Sequence, residues 1–325
     1  MRFKGLRVAV AALVALALAV PAQASPRPDQ PVSLGGKKVL LVNDDSVQAA
    51  KPDGSDGRGI YVLRQALCRA GADVAIVGPW ASQGAKSRST AGSPAAAVAT
   101  PLAVPAEFAA DCANAPGHGL VLGACQGSVP CVPGSPSITP ADVVELALTG
   151  VLPQRLGWTN GPDLVVSGVN AGPNTDVSIN LSGTVGAATA AVERGVPTVA
   201  VSAGTRVAPP PSTETYAAAA DVVVRLLASP RVWSLVRDMV LVNVNQPDVT
   251  PGSGPSPVRW TSVGRVAQGW VTYVPSGDGT YQLSYNPVTP APQFEEGSDT
   301  KALFDGYVSV SAVAVNRGYT GRLPG

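Results

Sequence analysis

Histidine is almost missing from this sequence, and its scarcity excludes several kinds of catalytic site. The single histidine among 325 residues, His118, lies in a glycine-rich stretch. Ser202 ends a strand-like run in an elbow-like sequence, but a hydrolase triad of this kind requires a histidine after the serine. Metal sites built from several histidines are excluded for the same reason. A serine esterase that uses Ser202 is therefore the weakest of our functional hypotheses.

Signatures of nucleotide cofactors and of nucleic-acid binding are also missing. The sequence has no G-x-x-x-x-G-K-[ST] loop, and acidic residues follow the first strand-like run where a G-x-G-x-x-G turn would stand. Charged residues make up only 14% of the chain, and no basic cluster occurs beyond the N-terminal segment. These features argue against a nucleic-acid duplex or an anionic membrane as a partner.

The first 24 residues predict a cleaved signal peptide. A basic start (Arg2, Lys4, Arg7) precedes the apolar run Val8–Val20, and a small-x-small cleavage site ends at Ala24. The run is too short for a comfortable membrane span. We therefore expect a secreted, extracellular protein cut after Ala24. Removal of three basic residues from 23 Lys+Arg and 22 Asp+Glu leaves 20 basic and 22 acidic residues.

An even number of cysteines in an exported protein predicts disulfide bonds. The four cysteines are Cys68, Cys112, Cys125 and Cys131, and the last three fall in a stretch rich in glycine and proline. We predict at least one bridge within Cys112–Cys131. Cys68 lies at an apolar helical position and fits a buried free thiol equally well. The pairing stays open at this point.

Strand-like and helix-like segments alternate along most of the chain. The predicted strands are Lys38–Asn43, Asp73–Val77, Asp163–Ser167, Thr198–Ser202 and Met239–Asn243, and the predicted helices are Gly59–Ala70, Thr139 to Gly150, Thr184–Arg194 and Thr213–Ala228. This alternation is typical of an α/β fold with a doubly wound, mostly parallel sheet in a Rossmann-like three-layer arrangement.

The domain plan follows from these patterns. After the signal peptide, 1–24, and a linker, 25–36, we expect an α/β core at 37–250 with a cysteine-containing insertion at 85–134. The helical period then disappears, and 251–325 predicts a β-rich C-terminal extension with a β-hairpin and a last core strand near 307–313.

Two adjacent aspartates, Asp44 and Asp45, follow the first predicted strand. The carboxyl ends of parallel strands form the ligand-binding edge of an open α/β sheet. Neighbouring carboxylates raise each other's pKa unless a cation lies between them, so the pair indicates a metal or a shared proton. Asn-Asp-Asp-Ser is also good turn chemistry, which makes a solvated loop the alternative.

Other oxygen donors are expected at the same edge. Asn170 follows another predicted strand and could supply a neutral amide oxygen to a hard divalent cation such as Mg²⁺ or Mn²⁺. Ser182-Gly183-Thr184 begins a predicted helix, where backbone N–H groups and hydroxyls could hold a phosphate. Ordinary helix capping is the alternative explanation of that segment.

Several motifs together resemble the survival protein SurE family of metal-dependent 5′/3′-nucleotidases and acid phosphatases. The matching segments run in order from Lys38 to Val313: Val42-Asn43-Asp44-Asp45, Val165 through Asn174, Ser182-Gly183-Thr184-Val185, Gly195-Val196-Pro197, Asn243-Val244-Asn245-Gln246-Pro247 and Asp305 through Val310. The resemblance implies a SurE-like fold whose swapped C-terminal extension builds a homodimer or homotetramer.

The resemblance also implies one divalent cation held by two aspartates, a serine and an asparagine. Asp44, Asp45 and Asn170 match three of these positions. The family's Pro-x-x-x-x-Ser-Gly stretch is one residue shorter here, Pro79-Trp80-Ala81-Ser82-Gln83-Gly84. Ser82 is the nearest candidate for the serine, and Gln83 could offer an amide oxygen in its place. Ser46 stands where the family usually has glycine.

Two hypotheses of different classes lead. The first is a secreted, metal-dependent phosphomonoesterase that hydrolyses nucleoside monophosphates or related phosphoesters, with Asp44 and Asp45 as catalytic residues and Asp44 in the base-like role. Ser182, Gly183 and Thr184 would bind the phosphate. The second is a secreted protein that binds phosphate esters and has lost turnover, and it is motivated by the shortened Pro79–Gly84 segment.

Overall fold

The computed structural model describes residues 33–48, 57–92, 96–205, 210–235, 239–249, 252 and 254–316. The predicted signal peptide, Met1–Ala24, and most of the predicted linker lie outside the described residues. Those that are described fall within one compact unit, Val32–Gly325. No helix of this described part is long and apolar enough to cross a membrane.

The described residues form eleven strands and seven α-helices. The strands are β1 Lys38–Val42, β2 Asp73–Pro79, β3 Ala97–Pro101, β4 Val121–Gln126, β5 Leu164–Ala171, β6 Thr198–Ala203, β7 Val240–Gln246, β8 Val258–Thr261, β9 Gly269–Gly277, β10 Thr280–Pro287 and β11 Val308–Ala314. The helices are α1 Arg58–Arg69, α2 Pro140–Leu146, α3 Leu152–Leu156, α4 Gly183–Glu193, α5 Thr213–Leu227, α6 Pro230–Leu235 and α7 Asp299–Phe304.

Nine of the strands form one central sheet in the order β3-β4-β2-β1-β5-β6-β7-β11-β8. The six strands from β4 through β7 in this order run parallel, whereas β3 and β11 are antiparallel to their neighbours β4 and β7. The chain builds outward from β1 on one side and then from β5 on the other. The strand order therefore reverses between β1 and β5, which is where such sheets bind ligands.

Alternating side chains of the central strands bury against helices on both faces. Val39 and Leu41 of β1 join the core on the side of α1 and α5, and Leu40 and Val42 join the core on the side of α2 and α4. All four side chains are at most 1% exposed. Burial on two faces explains why the sequences of these strands are continuous apolar runs. The predicted doubly wound, three-layer architecture is confirmed.

The helix predicted to end at Gly150 is longer than expected. A π-helical turn, Ala147–Val151, follows α2 and continues directly into α3. Gly150 is therefore inside the helical segment, where an added Cβ would meet only Leu146 Cδ1 at 3.8 Å. The segment ends instead at Gly157, whose φ of 65° is the left-handed conformation that closes helices.

Two disulfides tie down the insertion at 85–134. Cys125 pairs with Cys131, as predicted for the cysteine-rich stretch, and Cys68 of α1 pairs with Cys112. Cys68 is thus not a free thiol. The insertion contributes β3 and β4 to one edge of the sheet, and the Cys125–Cys131 bridge packs against Trp80.

The C-terminal extension divides into two parts. β8 and β11 join the central sheet, and β11 coincides with the strand predicted near 307–313. β9 and β10 form a separate two-stranded antiparallel hairpin. The hairpin's aromatic and aliphatic side chains are exposed.

Candidate functional site

The two predicted aspartates lie at the carboxyl edge of the sheet, beside the point where the strand order reverses. β1 ends at Val42 and pairs with β2 and β5, so Asp44 and Asp45 reach the space between these strands. Asp44 is only 4% exposed, whereas Asp45 is half-buried. The pair is not a freely solvated turn, since the protein buries one of its two carboxylates.

Asp44 is in contact with the beginning of α4. The Thr184 hydroxyl donates to Asp44 Oδ1 at 2.7 Å, and a Cβ added to Gly183 would lie 2.7 Å from Asp44 Oδ2. Burial raises the pKa of Asp44 above its ordinary value, and the hydrogen bond from Thr184 opposes that rise. A buried carboxylate with a raised pKa favours either a proton or a nearby cation.

Asp45 is held by the end of β5 and by its own strand. The Ala171 N–H donates to Asp45 Oδ2 at 2.8 Å, and Asn43 Nδ2 donates to the same oxygen at 3.1 Å. Asn43 is buried and also accepts from the Thr184 hydroxyl at 3.1 Å. Asn43 thereby links the surroundings of the two aspartates.

Asn170 stands next to the residue that holds Asp45. Its Nδ2 donates to the Gly172 carbonyl at 2.8 Å, so the amide nitrogen is engaged within the turn and the amide oxygen is available to a cation. Gly172 has a φ of 119°, which only glycine adopts without strain. The end of β5 thus places a neutral oxygen donor next to the residue whose N–H holds Asp45, and its role as a cation ligand stays a prediction.

Ser182 is the N-cap of α4, and its hydroxyl accepts from the Val185 N–H at 3.0 Å. The capping prediction is therefore confirmed for Ser182. The first turn of the helix still directs its dipole toward Asp44, because Gly183 and Thr184 touch that residue. Such helix starts favour anions.

The Pro79–Gly84 loop approaches the same site through Gln83. The Gln83 N–H donates to the Asp44 carbonyl at 2.8 Å, and the Gln83 carbonyl lies 3.0 Å from the Cβ position of Gly183. Gln83 Nε2 donates to the Ser82 carbonyl at 2.8 Å. The loop therefore enters the site, and Gln83, rather than Ser82, makes its backbone contact with Asp44.

Ser46 also links this loop to the aspartates. Its hydroxyl donates to the Trp80 carbonyl at 2.8 Å, and the Gln48 side chain donates to the same oxygen. A glycine at position 46 could not make this bond. The substitution of the family's usual glycine by serine thus adds a hydrogen bond between the aspartate loop and the neighbouring loop.

The esterase hypothesis has no support in the geometry. Ser202 is fully buried and its hydroxyl accepts from Asn174 Nδ2 at 2.9 Å. His118 lies just before β4 begins, at the amino edge of the sheet, whereas Ser202 lies at the carboxyl end of β6. The serine and the histidine are therefore at opposite edges.

A buried amide network behind the site was not predicted from single residues. The Asn174 N–H donates to Asn245 Oδ1 at 2.7 Å, and Asn243 and Asn245 both donate to the Asn174 carbonyl. All three asparagines are at most 8% exposed. The network fixes the segment that follows Asn170. Its signal in the sequence was the Asn-x-Asn spacing at the end of β7.

The donor set fits a hard divalent cation. Asp44, Asp45 and Asn170 supply two carboxylates and an amide oxygen, the ligand types that Mg²⁺ and Mn²⁺ prefer. No group of three or more His, Cys, Asp or Glu side chains gathers within the described ranges. A cation here would therefore depend on neutral oxygens and water to complete its coordination.

Comparison with known proteins gives a consistent result. The family model described as survival protein SurE matches residues 39–269. A protein of Hyphomonas neptunium named 5′-nucleotidase SurE is 30% identical over 290 residues, which is 86% of this chain and 93% of the relative. A protein of the same name from Chloroflexus aggregans is 35% identical over 193 residues, covering 56% of this chain and 70% of the relative.

A solved structure supports the fold. The crystal structure of the Sure protein from Aquifex aeolicus aligns with a TM-score of 0.55 and 24% sequence identity, covering 86% of this chain and 94% of that chain. At this level of identity the likeness concerns the architecture.

Proposed function

This chain belongs to the survival protein SurE family, and on that premise we propose that it is a phosphomonoesterase that hydrolyses nucleoside monophosphates. Relatives named 5′-nucleotidase support a hydrolase acting on phosphoric monoesters. The observation that carries the proposal is the contact between Asp44, one of the two neighbouring aspartates, and the first turn of α4. This contact joins a cation-binding group to an anion-binding group, as a phosphoryl substrate requires.

We further propose that activity depends on a divalent cation, Mg²⁺ or Mn²⁺. Asp44, Asp45 and Asn170 would hold it, and a fourth oxygen would come from Ser82 or Gln83 of the neighbouring loop. When bound, the cation would polarise the phosphoryl group and offset its negative charge. The raised pKa of the buried Asp44 supports this site, because a carboxylate in such surroundings is stabilised by a nearby positive charge.

The chain's own groups have separate tasks in the proposed hydrolysis. Water attacks phosphorus, a new P–O bond forms, and the ester P–O bond breaks. The leaving alkoxide takes a proton from a solvent water, and the proton that Asp44 accepts from the attacking water returns to the solvent and restores the balance. Asp44 accepts the proton of the attacking water, and the Thr184 hydroxyl fixes its orientation. The Gly183 N–H and the positive end of the α4 dipole stabilise charge on the phosphoryl oxygens, whereas the Ser182 N–H already donates to the Ser178 carbonyl at 3.2 Å.

We also propose that the protein acts outside the cell after removal of Met1–Ala24. The two disulfides support this location, since such bonds persist in oxidising compartments. An extracellular phosphatase would release phosphate and nucleosides for import. N-terminal sequencing of the exported protein should begin at Ser25, and retention of residue 1 would contradict the proposal.

The hairpin supports assembly into a homodimer or homotetramer. One face of it carries a row of large apolar side chains: Val271, Tyr273, Tyr281, Leu283 and Tyr285, each between 47% and 66% exposed. An isolated two-stranded hairpin is marginally stable in water, and exposed apolar patches of this kind mark interaction sites. We propose that a second copy of the chain covers this face.

The second candidate function is binding without turnover. Its support is the shortened Pro79–Gly84 loop, in which Gln83 rather than Ser82 makes the backbone contact with Asp44. If the fourth oxygen is misplaced, substrate would bind but not react. Such a protein would gain thermal stability with adenosine 5′-monophosphate and Mn²⁺ and would release no phosphate.

One experiment separates these functions. Phosphate release from adenosine 5′-monophosphate with Mn²⁺ is measured for the wild type, for Asp44→Ala and for Asp221→Ala, a control that removes an exposed carboxylate from α5. We expect turnover by the wild type and the control, and loss of turnover in EDTA and in Asp44→Ala. Activity that persists in EDTA and in Asp44→Ala would contradict the phosphomonoesterase proposal.

A further inference from the structure

A short strap, residues 83–87, leads into the insertion past the beginning of α4, and it carries a lysine. The strap begins at Gln83, whose N–H donates to the Asp44 carbonyl at 2.8 Å. It ends at Ser87, whose N–H donates to the Leu181 carbonyl at 3.1 Å and whose carbonyl packs against Gly186 of α4. Lys86 lies between these anchors and is exposed.

The backbone of the strap is held in an uncommon conformation on both sides of the lysine. Ala85 has a φ of 58° and Ser87 a φ of 52°, a region that residues other than glycine enter at a cost. The Lys86 carbonyl accepts from the Ser89 N–H at 3.1 Å and from the Ser89 hydroxyl at 2.6 Å. The strap therefore has fixed ends and a defined course past the helix start.

The charges at the proposed site do not balance without a further cation. Two aspartates and a phosphate monoester dianion carry four negative charges, and one divalent cation offsets two of them. The first turn of α4 contributes about half a positive charge. Another positive group at the carboxyl edge would therefore stabilise the bound substrate.

Most other lysine and arginine side chains in the described part of the chain lie away from the proposed site or already pair with a carboxylate. Arg58 lies next to Glu107, and Arg88 contacts Glu145 and Glu193. Arg69 and Arg155, in the last turns of α1 and α3, lie at the amino edge, because these helices lead into the starts of β2 and β5. Arg225 is in the last turn of α5, which is followed by α6 and then by the start of β7. Lys37 and Lys38 stand at the amino edge, where β1 begins.

Lys86 differs from all of these in its position. Within the described part of the chain it forms no salt bridge, and its backbone lies beside the helix start that is proposed to hold phosphate. Resting on the proposed function, we propose that Lys86 is a phosphate-binding residue that compensates the charge of the substrate's phosphoryl group. Its ammonium group would act mainly on substrate binding and on the rate of encounter.

The test compares Lys86→Ala and Lys86→Arg with Lys37→Ala, which removes the same charge at the amino edge. Hydrolysis of adenosine 5′-monophosphate with Mn²⁺ gives KM and kcat, and inhibition by inorganic phosphate gives an inhibition constant. For Lys86→Ala we expect both KM and the inhibition constant to rise about tenfold, which corresponds to about 1.4 kcal/mol, with kcat within about twofold of the wild type. Lys86→Arg should restore most of the affinity, and Lys37→Ala should resemble the wild type.

Salt gives a second readout. Because the lysine is exposed, its effect should weaken as ionic strength rises, and the difference in kcat/KM between the wild type and Lys86→Ala should shrink between 50 mM and 500 mM NaCl. An unchanged KM and phosphate inhibition constant in a folded Lys86→Ala protein would overturn the proposal. So would a fall in kcat alone.

This result is distinguishable from failure of the proposed function. If the wild type has no turnover, the phosphomonoesterase proposal fails, and calorimetric titration of the Mn²⁺-loaded protein with inorganic phosphate still tests the lysine. Weaker phosphate binding by Lys86→Ala than by Lys37→Ala would then support the lysine's role. Equal binding by the two variants would contradict it.

Discussion

At the residue scale, the site depends on a glycine that allows two segments to touch. A Cβ on Gly183 would lie 2.7 Å from both Cβ and Oδ2 of Asp44 and 3.0 Å from the Gln83 carbonyl. Real Cβ atoms do not approach backbone and carboxylate atoms this closely, so the aspartate would have to move. The close approach of α4 to Asp44 therefore requires glycine at this position.

Gly183→Ala should disrupt the site without unfolding the protein. The added methyl group displaces Asp44, and we expect Mn²⁺ affinity and kcat/KM to fall by at least tenfold. Gly150→Ala is the matched control, because its Cβ would meet only one side-chain atom at 3.8 Å. Calorimetric titration with Mn²⁺ and phosphate release would measure the effect. Equal Mn²⁺ affinity in the two variants would show that Asp44 does not need this close packing.

Thr184 opposes the rise in the pKa of Asp44. Burial raises the pKa of Asp44, and the Thr184 hydroxyl lowers it by donating to the charged carboxylate. Thr184→Val keeps the shape and removes the donor, so the pKa of Asp44 should rise further. Because a cation binds the carboxylate form, Mn²⁺ affinity should begin to fall at a higher pH than in the wild type. Thr184→Ser, which keeps the hydroxyl, should resemble the wild type. If Mn²⁺ affinity depended on pH in the same way in Thr184→Val and in the wild type, this account would be contradicted.

At the scale of elements, one disulfide fixes the insertion to α1 and the other closes a short loop within the insertion. The Cys68–Cys112 disulfide spans 44 residues and the Cys125–Cys131 disulfide spans six. On the chain-entropy estimate they stabilise the fold by about 4 and about 2 kcal/mol. Arg64 adds to the first attachment, since its buried guanidinium donates to the carbonyls of Phe108, Asp111 and Gly119.

The C-terminal extension is attached to the site by a buried carboxylate. Asp299, at the beginning of α7, accepts from the Gly264 N–H at 2.9 Å, from the Thr300 N–H at 2.8 Å and from the Asp176 N–H at 3.2 Å. Asp176 belongs to the 3₁₀ turn that connects β5 with α4. The segment between Asn170 and Ser182 is thus tied to the extension.

Burial raises the pKa of Asp299, and this shift predicts how stability depends on pH. The folded protein binds the proton more tightly than the unfolded chain, so Asp299 contributes a stability that grows as pH falls through its folded pKa and is lost as pH rises. As the pH falls from 7 to 4.5, the free energy of unfolding of the wild type should therefore rise relative to that of Asp299→Asn, in which residue 299 does not titrate. Urea unfolding at both pH values measures the difference.

Asp299→Ala provides the companion measurement. It leaves three buried N–H groups without this acceptor, and we expect a loss of about 1–3 kcal/mol at either pH. A difference between wild type and Asp299→Asn that is constant with pH, or that changes in the opposite direction, would refute the assignment of the raised pKa to Asp299.

At the scale of the whole molecule, the exposed hairpin predicts an oligomer. On one face Tyr273 pairs with Leu283 and Val271 pairs with Tyr285, and the opposite face is more polar, with Thr272 opposite Ser284. Tyr273→Ser combined with Leu283→Ser should therefore shift the protein toward monomers in analytical ultracentrifugation. Val274→Ser, on the opposite face, is the control. A wild type that sediments as a monomer at all concentrations would contradict the proposed assembly.

Much of the fold was predictable because it depends on local patterns. The buried strands, the beginning of α2 at Thr139, the Ser182 cap of α4 and the aspartates after β1 are encoded within short segments, and the structure agrees with each of them. The end of the helix near Gly150 was not predictable in this way. Glycine is tolerated inside a well-packed helical segment, so the true end depends on the left-handed Gly157.

The sequence by itself determined the kind of fold and the chemistry of the site: a parallel α/β sheet with two carboxylates, an amide oxygen and a helix start at its carboxyl edge. Only the tertiary structure decided which groups touch. The contact of Thr184 with Asp44 joins residues 140 positions apart. The Cys68–Cys112 disulfide, the bond from Gln83 to the Asp44 carbonyl and the contacts of the strap that carries Lys86 likewise join residues that are distant in the sequence. Residue types and local periods act over a few positions, whereas distances between remote segments follow from the order of the strands and the packing of helices on them.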